Sequence, residues 1–333
     1  MTNLNEIAKK MTGSGKGILA ADESSPTCSK RFSSIGVEST FENRNEYRDL
    51  LLTSEGMEKY IGGVIMFDET LRQTTTCKNQ IPFSDYLNSK GVIPGIKVDK
   101  GAIPLAGFPN EKVTEGLDGL RQRLEEYFKL GARFAKWRAV ININDDKIPT
   151  EGCLQANTHA LARYAALCQE SGLVPIVEPE VLMDGSHTIE RCYEITELAL
   201  KMTFGQLERQ RVNLDGMVLK PNMVISGLKC PQQASAEKVA ELTLECLKKN
   251  VPSEVAGIAF LSGGQSSDLA TEHLNIMNSL DDKLPWNLTF SYGRALQHDA
   301  LNAWKGTNRE IAQEKFLMRA KQNSLASTGA LHK

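Results

Sequence analysis

Long hydrophobic runs are missing from this sequence: no window approaches the roughly 18 apolar residues of a membrane-spanning helix. Runs of like charge are missing too. Lys and Arg number 39 against 41 Asp and Glu, so the net charge is -2, without the basic patch of a nucleic-acid or membrane-surface protein. Cysteine is sparse and never falls in a C-x-x-C pair. The seven thiols (Cys28, Cys77, Cys153, Cys168, Cys192, Cys230, Cys246) suit neither a disulfide framework nor a zinc site, and read as reduced thiols of a cytoplasmic protein. The five histidines are equally scattered, without H-E-x-x-H or another metal-ligand spacing, and read as surface or packing residues. No metal and no cofactor is expected. The start, Met1 to Met11, lacks the apolar stretch of a signal peptide and reads as a short amphipathic helix.

What is present is alternation. Eight short apolar runs recur at intervals of roughly 30 to 45 residues: Gly17–Asp22, Gly62–Phe67, Val92–Lys97, Phe134–Val140, Val174–Glu178, Gly216–Lys220, Gly257–Leu261 and Asn287–Ser291. Helical patterns stand between them, among them Gly116–Leu130, Ala156–Gln169, Thr188–Arg209 and Ser235–Lys249. In the last of these, Val239, Leu242, Leu244, Cys246 and Leu247 form an apolar stripe, and Ser235 reads as the N-cap. Eight strand–helix units are the arithmetic of an α/β fold of the (β/α)8 TIM-barrel type, in one domain covering residues 1–333. An open doubly wound sheet would need a nucleotide fingerprint. Gly13-Ser-Gly-Lys-Gly17 precedes a strand and matches neither G-x-G-x-x-G nor the P-loop, so it reads as a loop.

Five strands end in polar pairs two residues apart: Asp22/Ser24, Lys97/Asp99, Lys136/Arg138, Glu178/Glu180 and Lys220/Asn222. Residues two apart share a face of a strand. A single such pair is usually a solvated rim. Five of them on strands covered by helices are expected to converge at the barrel mouth, where barrels place their catalysts. Lys220 near Lys136 and Arg138 would lose its proton readily and attack a ketone. Glu178 and Glu180, so close together, would not both ionise cheaply, leaving one to shuttle protons. Asp22 would take a hydroxyl proton as a C–C bond breaks. After the last two strands, Ser262-Gly263-Gly264 and Ser291-Tyr-Gly293-Arg294 offer small residues, backbone N–H groups and an arginine, the makings of a phosphate site.

Seven strings carry a resemblance over nearly the whole chain, from about residue 13 to about residue 327. They are Gly15–Ser24, Gly95–Gly101, Phe134–Arg138, Pro175–Glu180, Leu219–Met223, Phe260–Gln265 and Phe290–Leu296, and in that order they resemble the class I fructose-bisphosphate aldolases. The resemblance implies a metal-independent TIM-barrel lyase, usually a homotetramer, acting on a small sugar phosphate. It implies Lys220 as Schiff-base former and Glu178 as acid/base with Glu180 beside it. Asp22 and Lys136 match further active-site residues. Ser262, Gly263, Gly264, Ser291, Gly293 and Arg294 match the C1-phosphate cradle. Arg31 and Lys97, with Ser24, Thr27 and Arg138, match the C6 end. Thr27 stands where the family commonly has serine. The tyrosine-ended tail of many members has no counterpart before His332-Lys333, which bears on proton exchange and on bisphosphate preference.

Two other readings share parts of this pattern. A transaldolase-like or deoxyribose-phosphate-aldolase-like barrel would use a lysine but need no second phosphate site. A scaffold using an aldolase surface to bind a protein partner would have no need of Lys220, Glu178, Asp22 and Lys136 together.

Overall fold

The computed structural model describes residues 3–144, 147–280 and 283–332. Eight parallel strands close into a barrel: β1 Gly17–Ala21, β2 Ile61–Met66, β3 Ile93–Lys97, β4 Phe134–Ile141, β5 Val174–Val181, β6 Val218–Leu219, β7 Ile258–Phe260 and β8 Leu288–Tyr292. Each pairs with its sequence neighbours and β8 closes on β1, where Ile18 pairs with Ser291 and Leu19 with Tyr292. All eight apolar runs are strands, and the fold is the expected TIM barrel.

Helices cover the outside because their apolar stripes match the strands' outer faces. On the helix Ala236–Asn250, Val239, Leu244, Cys246 and Leu247 are buried and Leu242 is partly so. Its N-cap is Ser235, whose hydroxyl accepts from the Lys238 N–H. The helix Ile189–Arg209 is capped the same way by Thr188. The helix expected over Ala156–Gln169 begins a turn earlier, at Glu151, because the Thr150 hydroxyl accepts from Cys153 N and starts it. The helix expected over Gly116–Leu130 begins only at Leu120. Gly119, at φ 67°, holds a left-handed conformation that a helix does not admit.

The helix Leu4–Met11 closes the bottom of the barrel; Met1 and Thr2 of the expected Met1–Met11 helix lie outside the described residues. Ala8 and Met11 pack with Ile18, Ile65, Ile93, Phe134, Val174, Ile176, Val218 and Ala259 into a core cluster. The Phe134 ring fills the interior at this level. A Cβ on Gly95 of β3 would fall inside the Phe134 ring, so the glycine is the space that the ring occupies. The barrel is therefore solid at its base and open at the opposite end. A hairpin that the sequence pattern did not announce, Ala102–Pro104 with Lys112–Thr114, stands beside that open end. It is tied down by Glu111, which accepts from Thr150 N at 2.7 Å and from the Thr150 hydroxyl at 2.7 Å.

Candidate active site

β6 and β5 position the two central side chains. Lys220 follows the short strand β6, and its own N–H still donates to Val177 O at 2.8 Å, so the residue stays in register at the strand end. β5 runs on to Val181, longer than the apolar run suggested, and carries both Glu178 and Glu180. In the parallel register Arg138 of β4 faces Glu178, and Val140 faces Glu180. The mouth of the barrel thus collects charge from neighbouring strands by period-two alternation.

One linked chain of ions results. Lys220 Nζ lies 3.2 Å from Glu178 Oε1, and Lys136 Nζ lies 3.3 Å from Glu178 Oε2. Lys136 also donates to Asp22 Oδ2 at 3.0 Å, joining β4 to the end of β1. Lys220, Glu178 and Lys136 are all buried, with exposures of 4%, 2% and 5%. Unpaired, each buried ion would cost several kcal/mol, so the chain holds together only as a set.

The partners split the two lysines. Burial pushes both amines down. For Lys136, attraction from Asp22, Glu178 and Asp99 overcomes burial and raises its pKa far above the ordinary lysine value. For Lys220, burial wins: Glu178 and Asp22 pull up, Lys136 pushes down, and the pKa stays below the ordinary 10.5. Arg138, expected to help depress Lys220, is instead engaged by Glu180, and the cation beside Lys220 is Lys136. Glu178 and Glu180 each have their own cation, so their proximity is compensated by separate partners. Burial raises Asp22, yet Lys136, Lys220 and Lys97 together hold it well below its ordinary 3.8.

All sixteen residues given a catalytic or phosphate-binding role from the sequence line a single cavity of about 730 Å³ at the barrel mouth. Besides Asp22, Lys136, Glu178, Glu180 and Lys220, the lining includes Ser24, Thr27, Arg31, Lys97 and Arg138. The Ser24 and Thr27 hydroxyls stand 3.2 Å apart. Lys97 Nζ pairs with Asp99 Oδ1 at 2.7 Å, and Arg31 pairs with Glu23. The ends of the last two barrel strands add Ser262, Gly263, Gly264, Ser291, Gly293 and Arg294, and Arg294 shares a neighbouring groove with Thr27 and Arg31. Gly263 and Gly264 take φ values of 55° and 91°, which fold the backbone into a tight left-handed turn. A Cβ on Gly264 would stand 3.2 Å from Arg294 Nη2, so loop and guanidinium are neighbours. The Ser291 hydroxyl is buried without a hydrogen-bond partner, and Arg294 makes no ion pair with any described residue. An unpartnered hydroxyl, a free guanidinium and a left-handed glycine turn suit an anion.

Asn222 does not reach the mouth. Its amide donates to Thr196 Oγ1 and Met223 O and its oxygen accepts from Val181 N, so it braces the strand against a helix. Four wall features escaped the sequence reading: Glu23, Asp184, the hairpin residue Ala102, and an apolar rim of Leu182 and Leu228. Glu23 anchors Arg31 while Arg48 Nη1 holds its other oxygen at 2.6 Å. Among the described residues no cluster of three or more His, Cys, Asp or Glu could hold a metal ion.

Fold and site describe a (β/α)8-barrel enzyme with paired lysines and a polar cavity open to anionic substrates. The sequence profile of the class-I fructose-bisphosphate aldolases matches residues 3–333. A probable class 1 fructose-bisphosphate aldolase of Xanthomonas axonopodis pv. citri is 59% identical over 329 residues, 98% of this chain and 97% of that protein. Fructose-bisphosphate aldolase C of Carassius auratus is 49% identical over 98% of this chain and 90% of its own. A ternary co-crystal structure of the Plasmodium falciparum aldolase, with TRAP and a small-molecule inhibitor, superposes with a TM-score of 0.96 at 46% identity. It covers 99% of this chain and 95% of that one. The chain belongs to the class-I fructose-bisphosphate aldolase family. It is accordingly a lyase of glycolysis, of the class that cleaves fructose 1,6-bisphosphate reversibly through a lysine Schiff base without a metal.

Proposed function

We propose that Lys220 is the Schiff-base lysine, with Glu178 as proton carrier and Lys136 as the permanent cation. The observation that carries this is the opposite displacement of the two amines around Glu178. Only a neutral amine is a nucleophile, and Lys220 is the one that burial drives towards neutrality. Its Nζ adds to the C2 carbonyl of the sugar. Glu178, in contact with that nitrogen, takes a proton from it and returns one to the departing oxygen as water. The resulting iminium accepts the C3–C4 bonding pair as the C4 hydroxyl loses its proton and the aldehyde departs. The enamine left behind is protonated at C3 and hydrolysed, which frees dihydroxyacetone phosphate and Lys220.

Asp22 takes a different part from the one its chemistry first suggests. Held so far down, it is a weak base and an enduring anion. In this reading it orients the C4 hydroxyl and Lys136, while Glu178 moves the protons and Glu180 holds Arg138. The Ser262–Gly264 turn, Ser291, Gly293 and Arg294 take the C1 phosphate. Ser24, Thr27, Arg31, Lys97 and Arg138 take the C6 phosphate, with Thr27 supplying the hydroxyl of the usual serine. A cytoplasmic homotetramer completes the reading. The free thiols, six of the seven buried, and a relative named as cytosolic from Arabidopsis thaliana support that location.

The test is cleavage of fructose 1,6-bisphosphate, followed by coupled reduction of the triose products, with and without EDTA. Equal turnover in both is expected. Loss of activity in EDTA, restored by zinc, would place the electrophile on a metal and refute the lysine mechanism.

A further inference from the structure

Beneath the Ser262–Gly264 turn lie two buried polar side chains that the mechanism above leaves unused, Gln265 and His273, exposed by 8% and 3%. His273 Nδ1 lies 2.6 Å from Gln265 Oε1. An amide oxygen only accepts, so in this arrangement Nδ1 carries the proton and donates. Burial pushes the imidazole down to about 4, against the pull of Glu272 and Glu237, so the ring is neutral near pH 7.

With its oxygen engaged, Gln265 turns its amide nitrogen to Ser262 O at 3.0 Å, and to Met223 Sδ at 3.7 Å. Its backbone N–H donates to the same Ser262 carbonyl at 3.0 Å. One residue thus pins both ends of the turn that contains Gly263 and Gly264. The helix that carries His273, Ser267–Leu280, is itself anchored from outside. Arg319 pairs with Asp268 at 2.6 Å and donates to the Thr271 hydroxyl at 2.9 Å, and that hydroxyl stands 2.9 Å from Asn323 Oδ1. The outer helix thus braces the helix that carries His273, and His273 in turn reaches the loop through its hydrogen bond to Gln265.

We propose that His273 is a positioning residue for phosphate binding, acting through Gln265 to fix the Ser262–Gly264 turn and the adjacent Arg294. The proposal rests on the assignment of that turn to the C1 phosphate. Removal of the His273 donor leaves Gln265 Oε1 buried and unpaired, and the amide is then free to rotate away from Ser262.

The experiment measures kcat, KM for fructose 1,6-bisphosphate and the inhibition constant of inorganic phosphate in four variants. His273→Leu is expected to raise KM and the phosphate inhibition constant about tenfold, the scale of one lost hydrogen bond, with kcat nearly unchanged. His273→Asn is expected to restore both, because Asn Nδ2 occupies the same bonded position as His Nδ1. Gln265→Glu keeps the acceptor for His273 but lacks the donor for Ser262, and should behave like His273→Leu if that variant does not fold. Arg294→Ala touches the anion itself and separates the two levels of the argument. Wild-type KM in both His273→Leu and Gln265→Glu, with a raised KM in Arg294→Ala, would overturn the role of His273 and leave the phosphate assignment standing. A wild-type KM in Arg294→Ala would overturn the assignment itself. A loss confined to kcat, or one that Asn does not restore, would also overturn the positioning role.

Discussion

Two lysines share one carboxylate at the centre of this protein, and what distinguishes them is the rest of their company. Lys136 has Asp22 at 3.0 Å in addition to Glu178, whereas Lys220 has Glu178 alone in direct contact. One added carboxylate decides which amine is held as a cation and which can shed its proton. On the cavity wall, Arg31 is presented to the cleft by Glu23, whose second oxygen is already taken by Arg48. Arg31→Ala should therefore raise KM for fructose 1,6-bisphosphate roughly tenfold or more, the loss of a charged hydrogen bond. KM for fructose 1-phosphate, which has no C6 phosphate, should barely move. Steady-state kinetics with both sugars check this, and equal losses with both would contradict the division of the cavity into two phosphate ends.

At the scale of elements, the strands were legible because each is a short apolar run bounded by turns, and Lys220 and Glu178 because charge at the end of such a run is out of place. Glu23 was not legible by that rule. Alternation from Asp22 points it away from the mouth, but the strand ends at Ala21, and past that point alternation no longer governs direction. Asn222 failed for the same reason in reverse: β6 ends at Leu219, and the chain beyond it turns the side chain towards Thr196. The hairpin Ala102–Pro104/Lys112–Thr114 has strands of three residues, too short to show a period. Among the loops, Gly264 combines a φ of 91° with Arg294 as its neighbour. Gly264→Ala adds a Cβ in a strained conformation, at a cost of about 1 kcal/mol or more. It should weaken substrate binding more than it lowers Tm. Isothermal titration with dihydroxyacetone phosphate and a melting curve give the comparison, and unaltered affinity would contradict the placing of the phosphate.

For the whole molecule, the same buried groups link stability to pH. His273 is held neutral by burial, with a pKa of about 4 against an ordinary 6.5. Its contribution is complete above 6.5 and is lost as pH falls towards 4, because the unfolded chain then binds a proton that the folded one refuses. The full effect is on the order of 3 kcal/mol. Asp22, displaced downward as an anion, adds stability that is present above 3.8 and lost below it. Tm should therefore be level above pH 7, fall between 6.5 and 4, and fall more steeply in stronger acid. His273→Asn should flatten the first of these limbs, and calorimetry across the range tests it. A limb that is the same in the variant would assign it to other groups.

The central claim is that the reactive amine is Lys220, and borohydride trapping addresses it most directly. The protein and its Lys220→Ala variant are incubated with dihydroxyacetone phosphate, reduced, and mapped by peptide mass. A reduced adduct on the peptide carrying Lys220, absent from the variant while its fold persists, is the expected result. An adduct on Lys136 or Lys97, or none in the folded wild-type protein, would contradict it.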